Sequence, residues 1–347
     1  MNNPALFIFR IRMNKIIFLL SFLSISLSLC AQKLNFKKDG TFKIVQLTDV
    51  HYAHGNQKSD TTLLMINRVL DAEKPDMVVF TGDIVTEKPV KEGWDAITKT
   101  VISRKIPFAV TLGNHDHEHG VTRLELKKII TAYPYNLNTP TTTILSGAMN
   151  NVIPIYGSEK AHLNEKALIY CFDSGAYSTI NGIEGYGWIP SDIIDWYKKK
   201  SMEYTLKNNF QPLPALAYFH IPLPEYKQAF NEEKNKRLGN RKEDECAPLL
   251  NSGMFLAMRE MRDVMATFVG HDHVNDYIVK YHDIALAYGC FSGWRTTYTP
   301  PINGARVVLL KEGERAFTTW IHLLDGTIRQ KASFPSDFSF IKENGKK

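Results

Sequence analysis

Five short apolar runs in this chain each end in residues that can bind a metal ion, and this repetition constrains the fold more than any other feature. The five blocks are Thr48-Asp-Val-His51, Thr81-Gly-Asp83, Leu112-Gly-Asn-His-Asp116, Tyr218-Phe-His220 and Val269-Gly-His-Asp-His273. Short apolar runs of this length predict buried strands. Because ligand sites in open α/β sheets form beyond the carboxyl ends of the strands, the five blocks are expected to surround one crevice.

The order of the elements predicts an α/β fold. Buried strands are predicted at Phe42–Leu47, Met77–Thr81 and Pro107–Leu112, and helices at Thr61–Glu73 and Glu92–Arg104 lie between them. An opening of this β-α-β-α-β type predicts parallel strands joined by crossover helices.

More elements follow in the second half of the chain. Strands are predicted at Ala167–Phe172, Ala215–Phe219, Met265–Val269, Ile284–Ala287 and Arg306–Leu310. Helices are predicted from Ser191, as the N-cap, through Asn208 and over Met254–Met261, and surface loops over Tyr133–Thr143 and Glu232–Pro248. So many strands indicate two packed sheets flanked by helices, within one domain at residues 34–335 that is followed by a loose tail at 336–347.

Residues 1–31 have the pattern of a secretory signal peptide, with Met13 as an alternative start. The apolar and serine run at 16–29 is short of the roughly 20 residues that span a bilayer. Cleavage after Ala31 is favoured, while lipid attachment at Cys30 stays open. We therefore expect an exported protein, periplasmic or extracellular, with no membrane attachment unless Cys30 is lipidated.

Charge and cysteine content narrow the classes of function. The predicted signal peptide carries three basic residues and no acid: Arg10, Arg12 and Lys15. Its removal lowers the net charge from +6 to about +3, which gives no support for a nucleic-acid platform. The cysteines that remain are Cys171, Cys246 and Cys290. They allow one disulfide but no disulfide framework.

The metal-binding residue types are assigned to two ions. Asp49 and His51 are two residues apart, as are His271 and His273, so each pair can point the same way from extended backbone. Asp83 can bridge two ions with its two carboxylate oxygens. The first ion is assigned Asp49, His51, Asp83 and His273, and the second Asp83, Asn114, His220 and His271. Four protein ligands each leave positions open for water and substrate.

The charge balance of such a site favours an anionic substrate. Two divalent ions bring four positive charges, and Asp49 and Asp83 return two negative ones. A site with this net charge stabilises the negative charge that develops on a phosphoryl group. Contact with a metal also lowers the pKa of a bound water to about 7, which supplies hydroxide at neutral pH.

The five blocks resemble, in order and spacing, those of the calcineurin-like metallophosphoesterases, from about Phe42 to Leu323. Further segments resemble the small single-domain purple-acid-phosphatase-like subgroup: Phe172-Asp-Ser-Gly175, Gly185-Tyr-Gly-Trp188, Phe219-His-Ile-Pro-Leu-Pro-Glu225, Asn251-Ser-Gly253 and Gly270-His-Asp-His-Val-Asn-Asp276. The resemblance implies a four-layer α/β/β/α sandwich that hydrolyses small phosphate esters with two metal ions. It also implies that a metal-bridging hydroxide attacks phosphorus, while His115 donates a proton to the leaving oxygen and Asp116 holds the His115 ring.

One departure from the pattern bears on the metals. Purple acid phosphatases have a tyrosine three residues after the bridging aspartate, where it binds ferric iron, and this chain has Thr86. Two divalent ions, Mn, Fe or Zn, are therefore expected.

Several alternatives stay open. A phosphodiesterase or nucleotidase could use the same residues, as could a metal-stabilised binding protein without turnover. His115 could order its loop instead of donating a proton. The residues that could line the substrate mouth, or belong to the core, are Tyr186, Trp188, Asn251 and Trp294. Arg295 or Arg306 could bind phosphate, although exposed arginines are the simpler expectation for both.

Overall fold

The computed structural model describes residues 33–138, 143–159, 164–295 and 303–338, and the predicted signal peptide lies outside them. The strands are β1 Leu34–Asn35, β2 Thr41–Leu47, β3 Met77–Thr81, β4 Phe108–Thr111, β5 Asn151–Tyr156, β6 Glu165–Cys171, β7 Ala215–Tyr218, β8 Arg237–Leu238, β9 Val264–Val269, β10 Ile278–Tyr281, β11 Ile284–Tyr288, β12 Gly304–Lys311, β13 Phe317–Leu323 and β14 Ile328–Phe334. The helices are α1 Lys58–Glu73, α2 Val90–Ile102, α3 Arg123–Thr131, α4 Ser191–Lys207, α5 Glu225–Asn231 and α6 Met254–Met261.

Two mixed sheets form the centre of the fold. One has the strand order β14-β13-β12-β2-β3-β4, and the other β1-β5-β6-β7-β9-β11-β10-β8. Strands β2, β3 and β4 run parallel, as do β6, β7, β9 and β11. The carboxyl ends of these parallel strands therefore meet at one edge of each sheet.

Alternation along the strands divides most of the apolar residues into three large cores. Ile44 and Ile169, from opposite sheets, belong to the core between the sheets. Their neighbours face outward: Val45 packs in a second core with α1, α2 and α3, and Leu168 in a third with α4 and α6. This period of two buries both faces of each sheet. The predicted four-layer α/β/β/α sandwich is thus confirmed.

The predicted opening is confirmed, but several elements were missed. Strands β1, β5, β8, β10, β13 and β14 and helices α3 and α5 were not predicted, and β8 lies within the segment Glu232–Pro248 that was predicted as a surface loop. Helix α3 begins at a capping box in which Thr122 and Glu125 bond each other's backbone N–H, a signal that the sequence does carry. The predicted cap of α4 is wrong, because Pro190 occupies the N-cap position and Ser191 is already helical.

Residues from Lys33 onward belong to one compact unit. Within the predicted loose tail, Ser336–Phe338 form a 3-10 helix and Phe338 packs in the core between the sheets, so these three residues are ordered. The rest of the predicted tail lies outside the described residues. In the described part of the chain, no helix is long and apolar enough to cross a membrane. Cys171, Cys246 and Cys290 are free thiols.

Candidate metal centre

The seven predicted ligands converge where the carboxyl ends of five parallel strands meet. They follow β2, β3 and β4 of one sheet and β7 and β9 of the other, and we call them the cage: Asp49, His51, Asp83, Asn114, His220, His271 and His273. Six of them are buried. His271 is half-buried, but its Nε2 atom is fully buried.

The backbone is strained at four cage residues. Asp49, His51, Asp83 and His271 have φ values of 51°, 43°, 53° and 79°, in the left-handed region that non-glycine residues rarely adopt. Each such residue costs about 1–3 kcal/mol. These conformations turn the chain sharply after β2, β3 and β9, so that the side chains face one another across the gap between the sheets.

Glycines allow the blocks to approach this closely. A Cβ atom at Gly113 would overlap the carboxylate of Asp83, and one at Gly270 would overlap the hydroxyl of Thr48. Gly82 has φ 84°, and a Cβ there would meet the ring of His220. The glycines in these blocks are therefore needed for the backbones to pack against the cage.

The first predicted group of ligands is assembled around Asp49. The Nε2 of His273 lies 3.4 Å from Asp49 Oδ1 and 3.1 Å from the Nε2 of His51. His51 Nε2 is 3.9 Å from Asp83 Oδ2. One ligand atom from each of these four residues lies within 4.8 Å of the others, a spacing that could hold one ion.

The second predicted group is assembled around His220. Its Nε2 lies 3.1 Å from both Asp83 Oδ2 and Asn114 Oδ1. Its Nδ1 lies 2.8 Å from the Thr81 carbonyl, which fixes the ring and directs Nε2 toward the cage. Ligand atoms of Asp83, His220 and His271 also lie within 4.8 Å of one another, so Asp83 belongs to both groups, as predicted for a bridging residue.

Electrostatics divide the imidazoles into two kinds. Burial lowers the pKa of His51 to about 4 and, together with the charge of His220, that of His271 to about 3. Burial also acts on His220, but the charge of Asp83 outweighs it and raises the pKa to about 10. Asp49 has its pKa lowered to about 2, since the contact with His273 outweighs burial. At neutral pH, His51 and His271 therefore offer lone pairs, while His220 carries the compensating proton.

These residues fit a pair of metal ions. The Nε2 of His271 is buried without a hydrogen-bond partner, and a cation would satisfy it. Two carboxylates, one amide oxygen and four imidazoles form a donor set of oxygen and nitrogen, which suits Mn, Fe or Zn.

The predicted role of Asp116 is wrong. Its carboxylate accepts hydrogen bonds from the backbone N–H groups of Gly113, Asp83 and Ile84, at 2.7, 2.9 and 2.8 Å, and does not hold the His115 ring. Burial and the charge of Asp83 raise the pKa of Asp116. Asp116 therefore joins the loops that follow β3 and β4.

Glu118 holds the His115 ring instead. Its Oε2 lies 2.7 Å from His115 Nδ1, and its Oε1 accepts a hydrogen bond of 3.1 Å from the Tyr177 hydroxyl. That hydroxyl accepts a 3.4 Å hydrogen bond from the amide of Asn114. Sequence reasoning missed Glu118 and Tyr177, although Glu118 at three residues after His115 is a spacing that could have indicated it.

The other residues predicted to line the substrate mouth or to bind phosphate differ in where the structure places them. The Tyr186 ring packs edge-on against His271, with 4.3 Å between centroids, and stacks on Tyr177 at 5.7 Å. Asn251 instead donates to the carboxylate of Glu225, at 2.7 Å, near the start of α5. Arg306 is fully buried and donates to backbone carbonyls such as Asp276, so neither expectation for it holds. We call His115, Glu118, Tyr177 and Tyr186 the rim.

The four-layer sandwich and the cage together are typical of metal-dependent phosphoesterases. The chain belongs to the calcineurin-like phosphoesterase family, whose profile matches residues 42–275. This family uses a dinuclear metal site and acts on small phosphorylated substrates.

Known relatives support this placement. The chain is 37% identical over 287 residues to "Probable inactive purple acid phosphatase 29" of Arabidopsis thaliana, covering 74% of this chain and 73% of that protein. It is 36% identical to phosphatase DCR2 of Saccharomyces cerevisiae, covering 72% of this chain and 47% of the yeast protein. A dimetal phosphatase from Danio rerio has a similar fold, with a TM-score of 0.58 and 12% identity over 84% of this chain and 98% of that one. The predicted resemblance to purple acid phosphatases is confirmed.

Proposed function

We propose that this chain is a catalytically active, dinuclear-metal hydrolase of phosphate monoesters. The observation that carries the proposal is the sharing of Asp83 between two groups of side chains, each with ligand atoms within 4.8 Å of one another. The word "inactive" in the name of the Arabidopsis relative applies to that protein. In this chain, all seven cage residues and His115 are present.

Each ion has a defined set of residues. Asp49, His51, Asp83 and His273 would hold the first, and Asp83, Asn114, His220 and His271 the second. When bound, two divalent ions supply an activated water and neutralise phosphate charge. The protein's own contribution is to fix these donors with strained loops and to shield them from bulk solvent, since six of the seven side chains are buried.

His115 is proposed as the general acid. Its Nδ1 is engaged by Glu118, which leaves Nε2 as the atom that donates a proton to the leaving oxygen. Its ring lies 5.8 Å from that of His51, beside the first group. The N–H of His115 donates to Asp83 Oδ1 at 2.8 Å, so the loop that carries the acid is tied to the bridging carboxylate.

The proposed metals are divalent Mn, Fe or Zn. Thr86 Oγ1 lies 3.3 Å from His51 Nδ1, where it can orient the imidazole but supplies no phenolate. Active protein should therefore be colourless. A purple preparation whose colour is lost on reduction would contradict this assignment.

The decisive experiment combines metal counting with turnover. Chelated protein is reloaded with Mn, Fe or Zn, the ions per chain are counted by elemental analysis, and para-nitrophenyl phosphate is compared with its bis-ester. Two ions per chain and faster hydrolysis of the monoester are expected. Two ions with no turnover would identify a metal-stabilised binding protein, while preference for the bis-ester would favour the phosphodiesterase alternative.

Export is proposed from the N-terminal pattern alone. The mature protein should begin at or after Cys30, which mass spectrometry of natively expressed protein can measure. An intact N-terminus in a cytoplasmic fraction would refute export. A diacylglycerol mass on Cys30 would show lipid attachment.

A further inference from the structure

A third group of metal-binding side chains lies beside the cage. Ligand atoms of Cys246, His271 and Asp272 all lie within 4.8 Å of one another. His271 belongs to the cage, but Cys246 and Asp272 do not. Cys246 is also exposed, whereas Cys171 and Cys290 are buried, so this thiol can be reached from solvent.

The position of Cys246 is fixed by its own loop. Its N–H donates to Asp272 Oδ1 at 3.1 Å, which ties the thiol-bearing residue directly to the second member of the group. The neighbouring Glu245 accepts two 2.8 Å hydrogen bonds from Arg241 and one of 2.7 Å from Tyr277. These contacts hold the three donors close together before any ion arrives, which reduces the ordering cost of binding.

Further contacts join this loop to the segment after His273. The Asn275 side chain accepts from the N–H of Lys242 at 2.8 Å and donates to the Glu243 carbonyl at 3.0 Å. The Asp276 carboxylate accepts from the N–H of Asn240 at 2.7 Å. The segment predicted as a long surface loop is thus clamped to the block that supplies two cage histidines.

The donor chemistry differs from that of the cage. The cage offers oxygen and nitrogen, whereas this group adds a sulfur atom. Thiolate ligands favour thiophilic ions, and one sulfur, one imidazole nitrogen and one carboxylate oxygen match a tetrahedral ion that keeps a water as its fourth ligand. Asp272 Oδ2 accepts a hydrogen bond from the Tyr288 hydroxyl, which orients the carboxylate.

We propose that Cys246, His271 and Asp272 form an outer site for a thiophilic divalent cation such as Cd²⁺, which shares His271 with the cage. Binding replaces the S–H bond of Cys246 by a sulfur–metal bond and releases the thiol proton to solvent. Because His271 is shared, an ion in the outer site draws this imidazole away from the second cage position. Excess thiophilic metal should then inhibit the enzyme, and this inhibition, unlike the binding, rests on the proposed function.

Binding can be tested without substrate. Full-length Mn²⁺-loaded protein is titrated with Cd²⁺ while ultraviolet thiolate-to-cadmium absorption is recorded, and iodoacetamide labelling of Cys246 is followed by peptide mass spectrometry. We expect the absorption to rise and labelling of Cys246 to slow markedly. Cys246→Ser should abolish the absorption. It should also lower Cd²⁺ affinity by at least roughly 10–100-fold, since losing even a residue that only supports a metal ligand costs a metal site that much.

Matched variants separate the outer site from general effects. Glu233→Gln changes an exposed carboxylate on the same predicted loop that is outside the group, and it should bind Cd²⁺ like the wild type. Unchanged labelling of Cys246 at saturating Cd²⁺, or equal absorption from Cys246→Ser, would overturn the outer site. Both measurements remain valid even if the protein proves to have no phosphatase activity.

The shared role of His271 is tested by inhibition. Wild-type turnover should fall at Cd²⁺ concentrations that leave Cys246→Ser active, and elemental analysis should show loss of Mn²⁺ from the wild type alone. Equal inhibition of both proteins would mean that Cd²⁺ acts through the cage itself, which would overturn the sharing of His271.

Discussion

The cage and the rim are neighbours, but their residues are held in place by different kinds of interaction. Cage residues follow strands directly, on backbone that is strained at four positions and packed against glycines. Rim residues are half-exposed and are held by side-chain contacts across distant parts of the chain: Tyr177 and Glu118, for example, are 59 residues apart. In the proposed enzyme, the backbone would govern whether metal binds, and the rim would govern which esters react and how fast.

The largest effect is expected from the residue that joins the two metal groups. Asp83→Ala removes the carboxylate that lies 3.1 Å from His220 Nε2 and 3.9 Å from His51 Nε2. Metal content should fall at both positions and turnover should be abolished on every substrate, because both ions lose a ligand. Elemental analysis and assays of activated and poor esters measure this.

Two further variants make the result interpretable. Asp83→Asn keeps the shape but loses the charge and the bridging oxygen, so it should also lose metal while staying folded. Asp71→Ala, which alters an exposed carboxylate paired with Arg104, should change neither metal content nor rate. Retention of two ions by folded Asp83→Ala would contradict the bridging role.

The cage could be predicted from sequence because its geometry is local. Each block begins where an apolar strand ends, and the position of the strand ends places Asp49 and His51, or His271 and His273, at the crevice. The extended backbone expected at Asp49, His51 and His271 was wrong, because these residues, like Asp83, are left-handed, and no residue type there demands that conformation.

The rim could not be predicted in the same way. The Asp116 prediction failed because adjacency to His115 says nothing about side-chain direction, and the carboxylate turns inward to three backbone N–H groups. Tyr177 reaches the site only through the fold. The buried Arg306 illustrates the same limit, since its carbonyl partners come from other strands and loops.

His115→Ala should have the next largest effect, and it distinguishes the role of the rim in proton transfer from the role of the cage in metal binding. Its proton is needed by poor leaving groups, so their hydrolysis should slow by roughly 10²–10⁴-fold, as for a lost general acid. Nitrophenyl esters should be affected much less, because nitrophenolate departs without a proton. Metal content should stay near the wild-type value.

His54→Ala provides the matched control, since it removes an exposed histidine from the loop that follows β2 and is not part of the cage or the rim. It should leave both classes of ester unaffected. If His115→Ala slowed activated and poor esters equally, or lost metal as Asp83→Ala should, His115 would be a ligand or a clamp on the phosphate and not an acid.

Acidity provides a graded test of the cage. In the metal-free protein His220, with its pKa raised to about 10, is protonated at neutral pH and must lose that proton to bind metal. His51 and His271, with pKa values of about 4 and 3, are already neutral above pH 6. Metal affinity should therefore fall about tenfold for each pH unit from pH 8 to pH 6, through one proton.

Mn²⁺ titrations at several pH values measure that slope. The sign follows from the raised pKa: the protonated His220 and Asp83 pair stabilises the metal-free protein at low pH, and this advantage is lost as pH rises toward 10. A slope of two or three protons would mean that further cage imidazoles also titrate in this range.

The smallest effect is expected for the residues that position the acid. Glu118→Ala removes the partner of His115 Nδ1, so esters with poor leaving groups should react roughly tenfold more slowly. This is the lower end of the range for a hydrogen bond to a charged group, because the pair is half-exposed. Glu118→Gln keeps an acceptor and should restore part of the rate, and Tyr177→Phe should cost only a few-fold. Metal content should be unchanged in all three variants. As a control, Glu87→Gln alters an exposed carboxylate outside this chain of hydrogen bonds, and its rates should match those of the wild type. The essential readout is again the leaving group, since a merely structural role of Glu118 would slow activated and poor esters alike. If only the poor esters slow, the acid is oriented by Glu118, three residues along the same loop, and not by the adjacent Asp116.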